Sequence, residues 1–170
     1  MTENLVKEFI AESIDRIDQN TPKIFKCLNE LQETDIWLRP NNESNSVGNL
    51  ILHLCGNITQ YIICSLGDEK DTRERDKEFS ATGGYSKIEL SGKLDSTIEK
   101  AKDIIKNVDS ENLLRKRYVQ GFLLSGMGII IHVVEHYSYH TGQIAFWTKL
   151  LKGKNLGFYE GVDLNKKNLT

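Results

Sequence analysis

The segment from Leu123 to Lys152 constrains the fold more than any other part of the chain. Its first half is apolar almost all round a helix, at Leu123, Leu124, Met127, Ile129, Ile130, Ile131, Val133 and Val134. A helix without a polar face belongs in the middle of a protein rather than on its surface. We therefore expect a helical bundle around this segment, with Gly153 as the residue that ends the helix.

Three of the four histidines lie on the same helix, in the sequence IHVVEHYSYHTGQ, at His132, His136 and His140. Side chains four residues apart share one face of a helix, and such a pair can bind one transition-metal ion. Successive steps drift by about 40° around the axis, so one ion is not expected to take all three. Spacing alone leaves two pairs open, His132 with His136 or His136 with His140.

Apolar residues recur with a helical period in three further segments, which run from Leu5 to Leu31, from about Val47 to Leu66 and from about Ile88 to Val108. Pro22 predicts a kink or a break in the first helix. Ser46 is a candidate N-cap for the second helix, and Ser86 or Ser91 for the third. The second helix carries His53, the remaining histidine, which can face the others across the bundle.

We predict an all-α four-helix bundle with residues 1–170 as one domain, since 170 residues suit a single domain. No strand pattern competes with the helices, and the segment from Leu113 to Gly121 is expected to be extended or irregular. The polar connector 68–87 is long for a compact domain, so we predict a crossover between the second and third helices.

The composition disfavours several classes of function. Its 22 basic and 24 acidic residues are spread along the chain and give a net charge of -2, so neither nucleic acid nor a membrane surface is an expected partner. Cys27, Cys55 and Cys64 lack the spacing of a redox or zinc motif, which favours a reducing compartment. The N-terminus is unlike a signal peptide, and we expect a cytoplasmic protein.

The stretches HVVEHYSYHTGQI and NSVGNLILHLCGN resemble the last-helix and second-helix signatures of the DinB-like metal-binding superfamily. The segments WLRP and DTRERDKEF are weaker parts of the same resemblance. It implies a four-helix bundle in which His53, His136 and His140 hold a divalent metal, with His132 as a neighbour. Residues that could orient the ligands are Glu135, Tyr137, Tyr139 and Gln143.

The resemblance also implies a reaction class, because characterised members of the superfamily include S-transferases that use low-molecular-weight thiols such as bacillithiol. The metal, Zn, Ni or Fe, would favour thiolate formation in such an enzyme. We expect a small-molecule substrate, a homodimer, and Arg73 and Arg75 as groups that bind a carboxylate of the thiol. The sequence assigns no catalytic residue. The alternative is a non-catalytic, stress-related binding or dimerisation module whose metal is structural or absent.

Overall fold

The structure, a computed structural model, describes residues 2–168 and consists of helices with one short hairpin. In chain order the elements are α1 (Thr2–Glu30), α2 (Glu33–Ile36), α3 (Val47–Ile58), a π-helical segment (Thr59–Cys64), α4 (Arg75–Ser80), α5 (Lys87–Asn107), α6 (Ser110–Leu114), β1 (Lys116–Val119), β2 (Phe122–Ser125) and α7 (Gly126–Lys152). The long helices α1 and α3 each pack against both α5 and α7. The predicted all-α four-helix bundle is confirmed.

Helix α7 supplies much of the core, although it is not buried all round. Ile129 and Ile130 are fully buried, and Val133 is 1% exposed. Ile131, by contrast, is 51% exposed on the opposite face. The apolar first half of α7 therefore has a buried side towards α1 and α3 and an apolar side that solvent reaches.

The prediction that the last helix begins at Leu123, without strands before it, is wrong. Leu123 lies in β2, which pairs with β1 in an antiparallel hairpin. Gln120 and Gly121 both have positive φ, 50° and 83°, which is the backbone of a tight two-residue hairpin turn. The hydroxyl of Ser125 then accepts a hydrogen bond from the Gly128 amide at 3.1 Å and starts α7.

Helix α1 is continuous, so the predicted break at Pro22 does not occur. A proline removes one backbone hydrogen bond, to the carbonyl four residues earlier. That carbonyl belongs to Asp18, and both Asp18 and Pro22 are exposed, so water can satisfy the free oxygen. Short helices α2, α4 and α6 lie in the connections, where the sequence had predicted none.

The predicted helix ends are confirmed at three residues. Ser46 accepts a hydrogen bond from the Asn49 amide at 3.1 Å, and Ser86 accepts one from the Glu89 amide at 3.3 Å. Gly153 follows the last residue of α7. Ser91, the other candidate cap, lies inside α5.

The connector between α3 and α5 contains α4, which packs against α3. It brings the charged residues of the connector to the side of α3 that carries His53. The window Val47–Cys64 is apolar enough to cross a membrane, but 78% of it is buried within the bundle, as in the core helix of a soluble protein. The chain after α7 folds back onto the core through Leu156, which is 2% exposed.

Candidate metal centre

Three histidine side chains from two helices converge inside the bundle. His53 comes from α3, and His136 and His140 come from successive turns of α7. The Nε2 atom of His136 lies 3.0 Å from that of His53 and 3.2 Å from that of His140. Two nitrogen ligands of a tetrahedral zinc ion are about 3.3 Å apart, so the spacing is close to what a metal requires.

Hydrogen bonds on the far side of two rings fix which nitrogens carry protons. The Nδ1 atom of His53 donates to Glu78 Oε2 at 2.9 Å, and the Nδ1 atom of His140 donates to Gln143 Oε1 at 2.7 Å. Each ring then has a lone pair on Nε2. Both lone pairs point to His136 Nε2, which can donate to only one of them.

A divalent cation fits this donor set, since it accepts a lone pair from all three Nε2 atoms at once. Of the three rings, only that of His136 lacks a hydrogen bond at Nδ1 to hold it in place within the described chain. Its Nδ1 is buried and has no hydrogen-bond partner among the residues that the structure describes. Burial, with the nearby charges of His140 and His53, lowers the pKa of His136 to about 3. The ring is therefore neutral at pH 7, the form that binds a metal.

Glu78 forms a buried ion pair with Arg73 directly behind His53. Arg73 donates from Nε to Oε1 at 2.7 Å and from Nη2 to Oε2 at 2.8 Å, while the two side chains are only 3% and 10% exposed. Burial opposes ionisation of Glu78, but the hydrogen bonds from Arg73 and His53 outweigh it and hold its pKa below the usual value. Glu78 is thus a charged acceptor for the His53 N–H.

This ion pair fits against α3 because residue 56 is a glycine. A Cβ atom on Gly56 would lie 1.9 Å from Glu78 Oε1 and 2.9 Å from Arg73 Nε. Any larger residue at this position would displace the carboxylate from His53. Gly56 is one turn after His53, and its position within an apolar helix is the signal of a close approach that the sequence offered.

The backbone around Glu78 is held by two side chains from distant parts of the sequence. Asn49 donates to the carbonyl oxygens of Glu78 at 2.9 Å and Ala81 at 2.7 Å. Arg39 donates to the carbonyl oxygen of Phe79 at 2.5 Å. These contacts bring together three segments of the sequence, WLRP, SVGN and DTRERDKEF. Together they hold the backbone of residues 78–81 so that Glu78 lies against His53.

The other histidine of α7 lies outside the cluster. His132 Nε2 is 3.2 Å from the amide nitrogen of Asn57, and its ring stacks on Tyr61 with centroids 4.2 Å apart. Of the two pairs that spacing left open, the structure brings together His136 and His140 with His53. His132 stacks against His136, with ring centroids 5.5 Å apart.

Of the four residues proposed to orient the ligands, two contact the His140 ring and two do not. Gln143 holds His140, and Tyr139 meets the same ring edge-on with centroids 5.0 Å apart. Tyr137 points away from the cluster and bonds to the hydroxyl of Thr21 at 3.0 Å. Glu135 is exposed on α7. Glu78, which holds His53, lies in the connector 68–87 and was not among the residues predicted to orient the ligands.

Arg73 and Arg75, the predicted thiol-binding residues, occupy contrasting positions. Arg73 is buried, and besides Glu78 it donates to Gln60 Oε1 at 2.9 Å. Arg75 is exposed and lies over the ring of Phe79, 4.6 Å from its centroid. Phe79 in turn packs against His53, with ring centroids 4.6 Å apart. Whether either arginine binds a thiol stays a prediction.

Cysteine is not part of the cluster. Cys55 is buried on another side of α3, and burial raises the pKa of its thiol to about 11. Such a thiol is protonated at pH 7 and is a poor nucleophile. Cys27 is also buried, and Cys64 is half-buried at the end of the π-helical segment.

Comparison with known proteins identifies the family of this chain. The family described as "Protein of unknown function (DUF1572)" matches residues 4–160. No curated protein matches the chain.

The solved structures that share the fold include these three. A DinB-like protein from Bacillus subtilis has a TM-score of 0.66 at 14% identity, over 87% of this chain and 97% of its own. A conserved protein from Enterococcus faecalis has a TM-score of 0.71 at 15% identity, over 85% and 97%. A DinB-like protein from Bacillus cereus has a TM-score of 0.67 at 13% identity, over 85% and 93%. The DinB-like fold predicted from the sequence is confirmed.

Proposed function

This chain belongs to the DUF1572 family and has a DinB-like fold, and from its histidine cluster we propose that it is a divalent-metal-dependent enzyme acting on a small molecule. The preferred reaction is transfer of a low-molecular-weight thiol of the bacillithiol type to an electrophile, with hydrolysis of a small molecule as the other candidate. The metal would be held by His53, His136 and His140.

The observation that carries this proposal is the convergence of three Nε2 atoms, two of which have their lone pairs fixed by Glu78 and Gln143. Three nitrogen ligands leave coordination positions open, which is the pattern of catalytic rather than structural zinc sites. A bound cation would supply Lewis acidity, which favours the thiolate form of a thiol at neutral pH.

The chain's own residues then have distinct tasks. Glu78 and Arg73 hold the His53 ring, and Gln143 holds the His140 ring. Phe79 covers one face of His53 with an apolar ring and limits the access of water there. Arg75 is the exposed cation beside Phe79, and we assign it the carboxylate of the incoming thiol, because Arg73 is already paired.

We also propose that the protein acts as a cytoplasmic homodimer. Helix α7 has an exposed apolar face, which includes Ile131 at 51% and Tyr139 at 62% exposure. Exposed apolar patches of this kind are typical of interaction surfaces. The same face favours the second candidate function, a non-catalytic dimerisation module in which the metal is structural.

Metal analysis tests the metal site. Purified protein dialysed against a weak chelator is expected to keep about one equivalent of divalent metal. The variant His136→Ala is expected to lose that metal, while His132→Ala keeps it. Occupancy far below one equivalent in the wild type, or unchanged in His136→Ala, would rule out the site.

Thiol consumption tests the preferred reaction, thiol transfer. Bacillithiol, glutathione and cysteine are each offered with monochlorobimane as the electrophile, with metal-loaded protein and with His136→Ala. We expect a rate with at least one thiol that requires both the metal and His136. A fully metal-loaded protein without such a rate for any of the three thiols would argue against thiol transfer and leave hydrolysis or the module.

A further inference from the structure

An apolar groove runs along the C-terminal half of α7. It has a volume of about 380 Å³ and lies between α7, the start of α3 and the loop 40–45. Its apolar lining consists of Pro40, Leu50, Phe146, Trp147 and Leu150. Phe146 and Leu150 are 69% and 63% exposed. These large apolar side chains are in contact with water unless a ligand occupies the groove. We call this cavity the α7 groove.

The α7 groove begins next to the candidate metal centre on both helices that form it. On α7, Gln143 lines the groove and also accepts the hydrogen bond from His140 at 2.7 Å. On α3, Leu50 lines the groove and lies three residues before His53, so the two share a helix face one turn apart. None of the three histidines lines the groove itself. A molecule bound at the histidines would reach the groove past the Gln143 side chain.

The charges around the histidines differ between the two directions. Towards α4 lies the exposed cation Arg75, over Phe79. The α7 groove has Glu43 as the one charged residue of its lining within the described chain, together with the neutral Ser44 and Asn45. A carboxylate or phosphate would meet Glu43 there, and no cation is among the lining residues of the described chain. A neutral tail, or one that ends in an amine, suits the groove.

We propose that the α7 groove binds an uncharged alkyl or aryl tail of the substrate whose reacting group lies at the three histidines. This inference rests on the proposed metal site and adds the class of substrate. An anionic thiol and an apolar electrophile would then approach the centre by different routes, the thiol by Arg75 and the electrophile's tail by Phe146.

Hydroxamates test the groove, because they carry one metal-binding head on tails of different length. The probes are acetohydroxamate, hexanohydroxamate, 6-aminohexanohydroxamate and adipic monohydroxamate, titrated into zinc-loaded protein by calorimetry. Because Phe146 and Leu150 stay largely exposed, the four additional methylenes would be only partly buried, and hexanohydroxamate should bind at least about tenfold tighter than acetohydroxamate. The amine-ended tail should keep that gain, and the carboxylate-ended tail should lose most of it.

Two matched variants show whether the affinity gain of the longer tail arises in the groove. Phe146→Ser should reduce the gain of the longer tail to about threefold or less, because it removes apolar lining. Ile88→Ser is the control, since Ile88 in α5 is also an exposed apolar residue but does not line the groove. Both replaced side chains are exposed, so the fold is expected to survive.

The outcomes separate the two proposals. A protein that takes up no zinc would overturn the metal site and the role of the groove with it. Zinc-loaded protein that does not bind acetohydroxamate would have no open position for a reacting group, and this would overturn the role of the groove in binding a substrate tail. Normal binding of acetohydroxamate with no gain for hexanohydroxamate would overturn the groove alone. A wild-type dimer that Phe146→Ser converts to a monomer, measured by sedimentation, would identify the groove as an interface between copies and would also overturn the proposal.

Discussion

His53 and His136 have Nε2 atoms 3.0 Å apart, yet their surroundings are built in different ways. The ring of His53 is held by a charged carboxylate, which a buried arginine holds in turn. The ring of His136 has a buried Nδ1 with no partner among the described residues. The α3 side of the centre is fixed by tertiary contacts, whereas the α7 side relies on the geometry of one helix.

This difference indicates where the site is rigid and where it can adjust. Ligands with hydrogen-bonded second nitrogens keep one orientation and one tautomer. His53 and His140 meet that condition, so His136 is the ring best able to turn as a metal or substrate enters. Four changes test the comparison, in order of expected effect.

Arg73→Met should have the largest effect, because it leaves Glu78 as an unpaired charge in a buried position. Breaking a buried pair in this way costs about 3–5 kcal/mol of the free energy of unfolding. Arg75→Met is the matched control, and its exposed contact with Phe79 should be worth less than about 1 kcal/mol. Urea unfolding measures both, and equal losses would contradict the special role of the Arg73 pair.

Gly56→Ala should be next, since the added methyl would overlap Glu78 Oε1. We expect a loss of about 1–3 kcal/mol in the free energy of unfolding, together with weaker metal binding. Gly92→Ala in α5 is the control, because a Cβ atom there meets nothing within 4 Å. It should stabilise the protein by up to about 1 kcal/mol. Similar behaviour of the two variants would argue against the close fit of Glu78 on α3.

Glu78→Gln keeps the shape of the side chain but removes its charge. We expect metal affinity to fall by about 10–100-fold, as for other partners of metal-binding histidines. Gln143→Leu removes a neutral acceptor from the α7 side, and its effect should be about tenfold or less. Competition with a chelator gives both numbers. A larger loss for Gln143→Leu would reverse the comparison and make α7 the better supported side.

The pH dependence of the metal-free protein should show the smallest effect. Burial lowers the pKa of His136 to about 3, so the unfolded chain takes up a proton near pH 6.5, before the folded chain does. The His136 contribution to stability therefore declines as pH falls below 6.5, by at most about 1 kcal/mol between pH 7 and pH 5, because solvent reaches part of the site. Urea unfolding of His136→Asn should show a weaker decline; an equal decline would assign the effect to other groups.

The α7 side of the centre could be predicted from the sequence because it depends only on the spacing of residues along one helix. A helical repeat of four residues places His136 and His140 on one face whatever the rest of the chain does. Spacing could not choose between His140 and His132, since both are one turn from His136. The resemblance chose His140, and the structure places that ring with His53.

The α3 side was mostly hidden from sequence reasoning. Glu78 stands in a connector with many charges, and what distinguishes it is contact with residues far away in the chain. Asn49 and Arg39 fix its backbone from 29 and about 40 positions away. The hairpin was hidden for another reason, because only Ser125 and Gly126 separate the apolar residues of β2 from Met127 of α7, so that β2 extends the apolar pattern of the helix.

The π-helical segment Thr59–Cys64 bears on how the length of this chain can vary in evolution. A π-helical turn is an α-helix that has taken in one extra residue. A natural relative that lacks one residue here would regain ordinary helical pitch, and the His53 side of α3 would keep its register. A one-residue deletion at Tyr139 would instead turn His140 by about 100° away from His53. Metal retention should survive the first deletion far better than the second.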